Sequence, residues 1–211
     1  MLKISAITDG ISEDLDHALA VLSGAGLKHC EIQDLWGKGV GDLTDAEVTK
    51  AAQLLERHDV QPVCLSRKLF VGLQAMKIGP TDSAFVTEMD RLRRCIDIAH
   101  KLGAPAIRSM SMQREAILYS RNGPSIWNNG ATWDRFVELF QAPVRVAEAA
   151  GITLVVETSF NRHRQHRLHG KPSCRDDRLA QSQNSVGPGK LSLFRGEAAA
   201  RRLYSAQGPA H

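Results

Sequence analysis

Four cysteines in 211 residues form no C-x-x-C pair and no framework spacing, which speaks against a disulfide scaffold or a thiol-based metal motif. The opening "MLKISAIT" lacks the charged-then-apolar pattern of a signal peptide, and no apolar run approaches the roughly 20 residues of a membrane span. A reduced, cytoplasmic protein without a membrane partner is the expectation. After the first apolar run comes "TDGISED", one glycine among acids where a doubly wound dinucleotide fold would place a glycine-rich phosphate loop. A dinucleotide site is disfavoured on that ground. Charge is also missing where the total implies it. The formal charge is +4, yet residues 1–160 hold 17 Lys and Arg against 20 Asp and Glu, while 161–211 hold 10 against 3. The basic character belongs to the tail.

What is present in residues 1–160 is an alternation of short apolar runs with longer amphipathic ones. "LKISAIT" precedes "SEDLDHALAVLSG", whose Leu15, Leu19 and Leu22 fall on one helical face behind a possible Ser12 cap. "KHCEIQ" precedes "TDAEVTKAAQLLERH", in which Thr44 and Glu47 have capping-box spacing and Val48, Ala51, Leu54 and Leu55 make an apolar stripe. "VQPVCLS" is a third strand, followed by a helix over about 83–102 with Val86, Met89, Leu92, Ile96 and Ala99 inward and a stop at Gly103. "PAIRSMSM" is the fourth strand. A helix near 132–150 turns Trp133, Phe136, Phe140, Val144 and Ala147 inward, with a kink expected at Pro143, and "ITLVVET" is the fifth strand. Such alternation predicts a parallel sheet covered by helices. In a (β/α)₈ barrel, function gathers at the C-terminal strand ends. Those ends carry Thr8 and Asp9, Glu31 and Asp34 with Trp36, Ser66 and Arg67, Arg108 with Ser109 and Ser111, and Glu157 with Asn161.

In "GLKHCEIQDLW", "GAPAIRSMSM" and "AEAAGITLVVETSFN" the chain resembles the xylose isomerase-like TIM barrel superfamily of sugar (phosphate) isomerases and epimerases, over residues 1–161. The resemblance implies an α/β fold, an incomplete (β/α)₈ barrel of about five βα units with an irregular C-terminal tail. It also implies proton transfer beside a carbonyl of a small sugar, keto acid or sugar phosphate, assisted by a divalent metal (Mn, Mg, Co or Zn). Glu157 occupies the position of a metal-ligating glutamate at the end of the fifth strand and is the candidate catalytic residue. The chemistry requires a Lewis acid on the oxygens and a carboxylate placed to take the proton. The same carboxylate can instead cap its strand or pair with a neighbouring arginine. Glu31 and Arg108 resemble substrate-facing positions, against which stands an ion pair across the barrel mouth. Trp36 either stacks on a sugar or packs as a loop residue. His17, His29, His58 and His100 fall on helices or strand starts, away from this face. The superfamily's apurinic-site endonucleases use histidines at the ends of middle strands, where this chain has Ser66, Arg67, Ser109 and Ser111, which disfavours that activity.

The tail breaks the pattern. From Arg162 it is basic and aperiodic, with one Phe and one Tyr. A nucleic-acid-binding arm is weakly supported by charge alone, and His163, His166 and His169 lie among arginines that disfavour a second cation. The resemblance requires further ligands, including an aspartate in a "WDPGN"-like run on a sixth strand. Read from the second base of each codon, Arg162–Arg167 permit Gly-Ile-Val-Asn-Thr-Ala, and "QNSVGPGK" over 183–190 permits Lys-Ile-Val-Trp-Asp-Pro-Gly-Asn. One extra base near codon 162 would therefore leave residues 162–211 translated out of frame, an unstructured segment beside a partial barrel over 1–161. Such a chain is expected to be catalytically inactive, poorly soluble, and prone to homo-oligomerise or aggregate through open strand edges. The opposing reading is a non-catalytic half-barrel binding protein whose basic tail takes nucleic acid.

Overall fold

The computed structural model describes residues 4–112, 130–158 and 190–194. Five strands form a parallel sheet: β1 (Ser5–Ile7), β2 (His29–Ile32), β5 (Gln61–Ser66), β6 (Ala106–Met110) and β7 (Thr153–Thr158). Four helices alternate with them: α1 (Leu15–Gly24), α2 (Asp45–His58), α3 (Ser83–Leu102) and α4 (Gly130–Ala149). The spatial order β1-β2-β5-β6-β7 follows the chain order, as successive βα units of a barrel require. A short antiparallel hairpin, β3 (Asp34–Leu35) with β4 (Lys38–Gly39), interrupts the series. Its two turn residues, Trp36 and Gly37, both have positive φ (51° and 75°), the conformation of a type I′ turn.

Local signals mark the starts of α1 and α2 and the end of α3. At α2 the Thr44 hydroxyl accepts from the Glu47 N–H (3.3 Å) while the Glu47 carboxylate accepts from the Thr44 N–H (2.8 Å), the expected capping box. The cap of α1 differs from expectation. Asp14 accepts from the His17 N–H at 2.9 Å, and Ser12 instead accepts from the Asp14 N–H at 3.1 Å. The carboxylate two residues on takes the helical N–H, and the serine braces the loop before it. α3 buries Met89, Leu92, Ile96 and Ala99 as expected, but Val86 is 42% exposed and Phe85 takes the inward place. α3 ends at Gly103, whose φ of 74° is the left-handed cap that glycine adopts without strain. α4 runs through Pro143 without interruption of its assigned span, with Phe136, Phe140, Val144 and Ala147 buried. Trp133 lies outside the described side chains.

One core joins these layers. Leu19, Ile32, Leu65, Leu92, Ile107 and Phe140, from helices and strands alike, are each at most 1% exposed within it. The register of β2 against β5 slips by one residue between Cys30 and Glu31, which pair with Pro62 and Cys64. Pro62 has no N–H for the ladder, and the slip sets Ile32 opposite Leu65.

The expectation of a tail without structure meets one exception among the described residues. The backbone of β8 (Lys190–Phe194) pairs antiparallel with β7, Leu154 opposite Phe194 and Thr158 opposite Lys190. The open edge of β7 offers unpaired N–H and C=O groups, and a strand of either direction satisfies them. Asn161 and the tail histidines lie outside the described residues.

Candidate active site

The C-terminal ends of β2, β5, β6 and β7 bring Glu31, Ser66, Arg108 and Glu157 together. Strand alternation is the cause. Ile32, Leu65, Ile107 and Val156 point into the helix-covered core, so their immediate neighbours emerge on the opposite side of the sheet. Arg108 is the centre of the group. Its Nε lies 2.8 Å from Ser66 Oγ and 2.9 Å from Glu31 Oε1, its Nη1 contacts Glu157 Oε2, and its Nη2 donates to Gln33 Oε1 at 3.0 Å. The Ser66 hydroxyl also donates to Glu31 Oε1. The Arg108 side chain is 14% exposed and the two glutamates 19% each. Half-buried charges of this kind need one another, because an unpaired one would cost several kcal/mol in lost solvation.

The polar group extends to the end of β1. The Gln33 amide nitrogen lies 3.4 Å from Asp9 Oδ2 and 3.2 Å from Asp34 Oδ2. Among the described residues, Asp9 Oδ1 and the hydroxyl of fully buried Thr8 meet no hydrogen-bond partner. Gln33, which links Arg108 to the acids of the mouth, is the member that sequence reasoning missed. Its only signal was its place one residue beyond β2, between "CEI" and two more strand-end groups.

Of the predicted site residues, Glu31, Arg108 and Glu157 converge, while Trp36 lies in the β3–β4 turn. The Lys50 ammonium stands over its ring at 4.5 Å, and the indole packs against the apolar core. Both strand-end alternatives raised for Glu157 and Arg108 therefore meet in one object, since the arginine that pairs with Glu157 also belongs to the mouth. Other candidates are occupied elsewhere. Arg67 pairs with Asp42 at 2.7 Å, and Ser109 is fully buried with its hydroxyl directed to the Leu69 and Met110 carbonyls. His58 contacts Asp16 at 2.6 Å, and His100 reaches the Ala150 carbonyl at 2.9 Å. Cys64, opposite Glu31 on the neighbouring strand, is held in the thiol form: burial, then the Glu31 charge, push it up to about 12.

A divalent metal does not fit the described residues as they stand. No group of three or more His, Cys, Asp or Glu side chains among them is arranged to hold an ion. Two carboxylates reach the mouth from β2 and β7, and Arg108 engages an oxygen of each.

A family model for the xylose isomerase-like TIM barrel matches residues 19–169, about three quarters of the chain. The chain belongs to this family. No curated protein sequence matches it, but solved structures share the fold. It is similar to the 3-keto-D-glucoside 4-epimerase YcjR from E. coli, with 10% identity, a TM-score of 0.55, and coverage of 74% of this chain and 56% of that one. It is similar to the IOLI protein with a bound zinc atom (14% identity, TM-score 0.53, 75% and 52% covered). The D-allulose 3-epimerase from Methylomonas sp. in complex with D-allulose gives 19%, 0.50, 74% and 50%. At these identities the likeness is one of fold. The matched part spans about half the length of each of these xylose isomerase-like structures. Among the described residues no helix is long and apolar enough to cross a membrane.

Proposed function

We propose that the gene specifies a cytoplasmic, divalent-metal-dependent isomerase or epimerase acting on a small sugar, keto acid or sugar phosphate, and that the chain as written does not carry the reaction. The observation that supports this reading is the position of Glu157. It stands at the end of the fifth parallel strand in a xylose isomerase-like barrel, beside Glu31 and Arg108. Epimerases acting on sugars are among the structures of that fold. In this reading Glu157 is a metal ligand and the carboxylate of the proton transfer, while Glu31, Arg108, Ser66 and Gln33 supply donors and acceptors for the oxygens of a polyol. A divalent metal held by Glu157 and further ligands would supply Lewis-acid polarisation of those oxygens. One ligand that the resemblance requires beyond Glu157, an aspartate in a "WDPGN"-like run, is what the offset frame of residues 183–190 permits. The tail as written is thus an out-of-frame segment and residues 1–161 a partial barrel.

Expression of this chain and of a version with one base removed near codon 162 tests the reading. The second is expected to exchange the proton beside the carbonyl of candidate ketoses in deuterated water, with Mn²⁺ present, and to lose that exchange in Glu157→Gln. Equal, Glu157-independent behaviour of the two versions would sink it. A second reading rests on tail charge alone: a half-barrel without catalysis whose ten basic residues over 161–211 bind nucleic acid. Sequencing the locus separates them, since a verified frame with these codons favours the binding protein.

A further inference from the structure

The disagreement between the family's metal dependence and the described mouth has a specific physical form. The guanidinium of Arg108 meets a partner with each of its three nitrogens: Ser66 and Glu31 at Nε, Glu157 at Nη1, Gln33 at Nη2. Its charge lies between two carboxylates that come from strands on opposite sides of β5 and β6. A divalent ion bonds carboxylate oxygens at roughly 2.0–2.6 Å. To bridge both glutamates it needs the space between them that the guanidinium now fills, where one oxygen of each carboxylate is already engaged. Two like charges there would repel strongly, because Coulomb energy grows as the surrounding dielectric falls. Arginine also cannot vacate the role by losing a proton, as a lysine can.

We propose that Arg108 is the resident cation of this site: it fills the place between Glu31 and Glu157 that a divalent metal would take, so the chain as written excludes the metal. The corollary is that removing the guanidinium opens a cation site on the two glutamates. Two carboxylates completed by water are a weak but sufficient oxygen set for Mn²⁺ or Mg²⁺. The proposal does not depend on which reaction the family-level reading assigns. Exchange activity in a frame-restored chain would stand whether or not Arg108 blocks metal in this one.

The test is a Mn²⁺ titration of the full chain, followed by the loss of the free-ion electron paramagnetic resonance signal. The reference is the Glu31→Gln/Glu157→Gln variant, which corrects for uptake by the tail histidines. The parent chain is expected to match that reference. Arg108→Gln is expected to bind one further Mn²⁺ with affinity at least about tenfold above the parent, and to lose it again when Glu157→Gln is added. Arg108→Lys, which keeps a cation, is expected to follow the parent. Parent binding above the reference overturns the proposal even if Arg108→Gln fails to fold. So does a folded Arg108→Gln, by circular dichroism, that follows the parent curve.

Discussion

Two regions of this sheet are built from the same strands one residue apart. Ile32, Leu65, Ile107 and Val156 enter the core at no more than 1% exposure, whereas Glu31, Ser66, Arg108 and Glu157, the adjacent residue on each strand, form the charged mouth. The first set is held by generic burial, in which any apolar side chain of suitable volume finds contacts. The second is held by named partners, because each charge requires a particular opposite at a particular register. Ser66 opposite Arg108 across β5 and β6 is one such register position. The lesson is that the first set specifies the fold and the second specifies the site, and that they fail differently.

The core should break hardest. Leu65→Ala and Ile107→Ala each remove a fully buried side chain and are expected to cost about 2–5 kcal/mol in urea unfolding. At the mouth, Glu157→Ala leaves the guanidinium with one carboxylate, Glu31, in place of two and is expected to cost about 2–4 kcal/mol, less than a fully buried pair would. The triple variant Arg108→Met/Glu31→Gln/Glu157→Gln, which removes the whole charged set, is expected to recover most of that loss. A triple variant as unstable as Glu157→Ala would show that the mouth, too, is held by shape alone.

Smaller effects come from the surface. Thr44→Ala removes the α2 cap and is expected to cost about 1 kcal/mol. Hydrogen bonding from Lys38, then from the Thr44 N–H and hydroxyl, hold the Glu47 carboxyl down at about 2 against an ordinary 4.5. The folded state therefore binds the proton less readily than the unfolded one. The stabilisation is fully present above about pH 4.5 and is lost as pH falls toward about 2. Acid titration of the melting temperature should show this component and lose it in Glu47→Gln. Smallest of all, Cys30, Cys64 and Cys95 are buried with thiols pushed up to about 12, chiefly by that burial. They should resist alkylation at about pH 8 in the folded chain and react once it is unfolded.

The same division decided what the sequence made legible. The five parallel strands, the four helices and the Thr44–Glu47 cap follow from apolar period and short-range spacing, so reading along the chain recovers them. Val86 misled because Phe85 and Val86 are both apolar, and tertiary packing chooses Phe85, whose ring lies 5.7 Å from that of Phe70. The β3–β4 hairpin was invisible: Trp36 occupies a left-handed turn position where Asn, Asp or Gly gives the usual signal. Glu31, Arg108 and Glu157 were visible as strand-end residues, but their joining depends on lateral register and on Gln33, which no local pattern marks. No apolar period surrounds β8 in the sequence, although Leu191 and Leu193 in "KLSLF" carry the alternation of a strand.

The claim that the mouth is organised around a protein cation is most directly tested by diffraction from crystals of the chain grown with Mn²⁺, with data collected at the manganese absorption edge. The Arg108 guanidinium is expected between Glu31 and Glu157, with no anomalous peak within bonding distance of either carboxylate. A manganese peak on Glu157, with Arg108 turned away from it, would show that a metal and not the arginine organises the mouth.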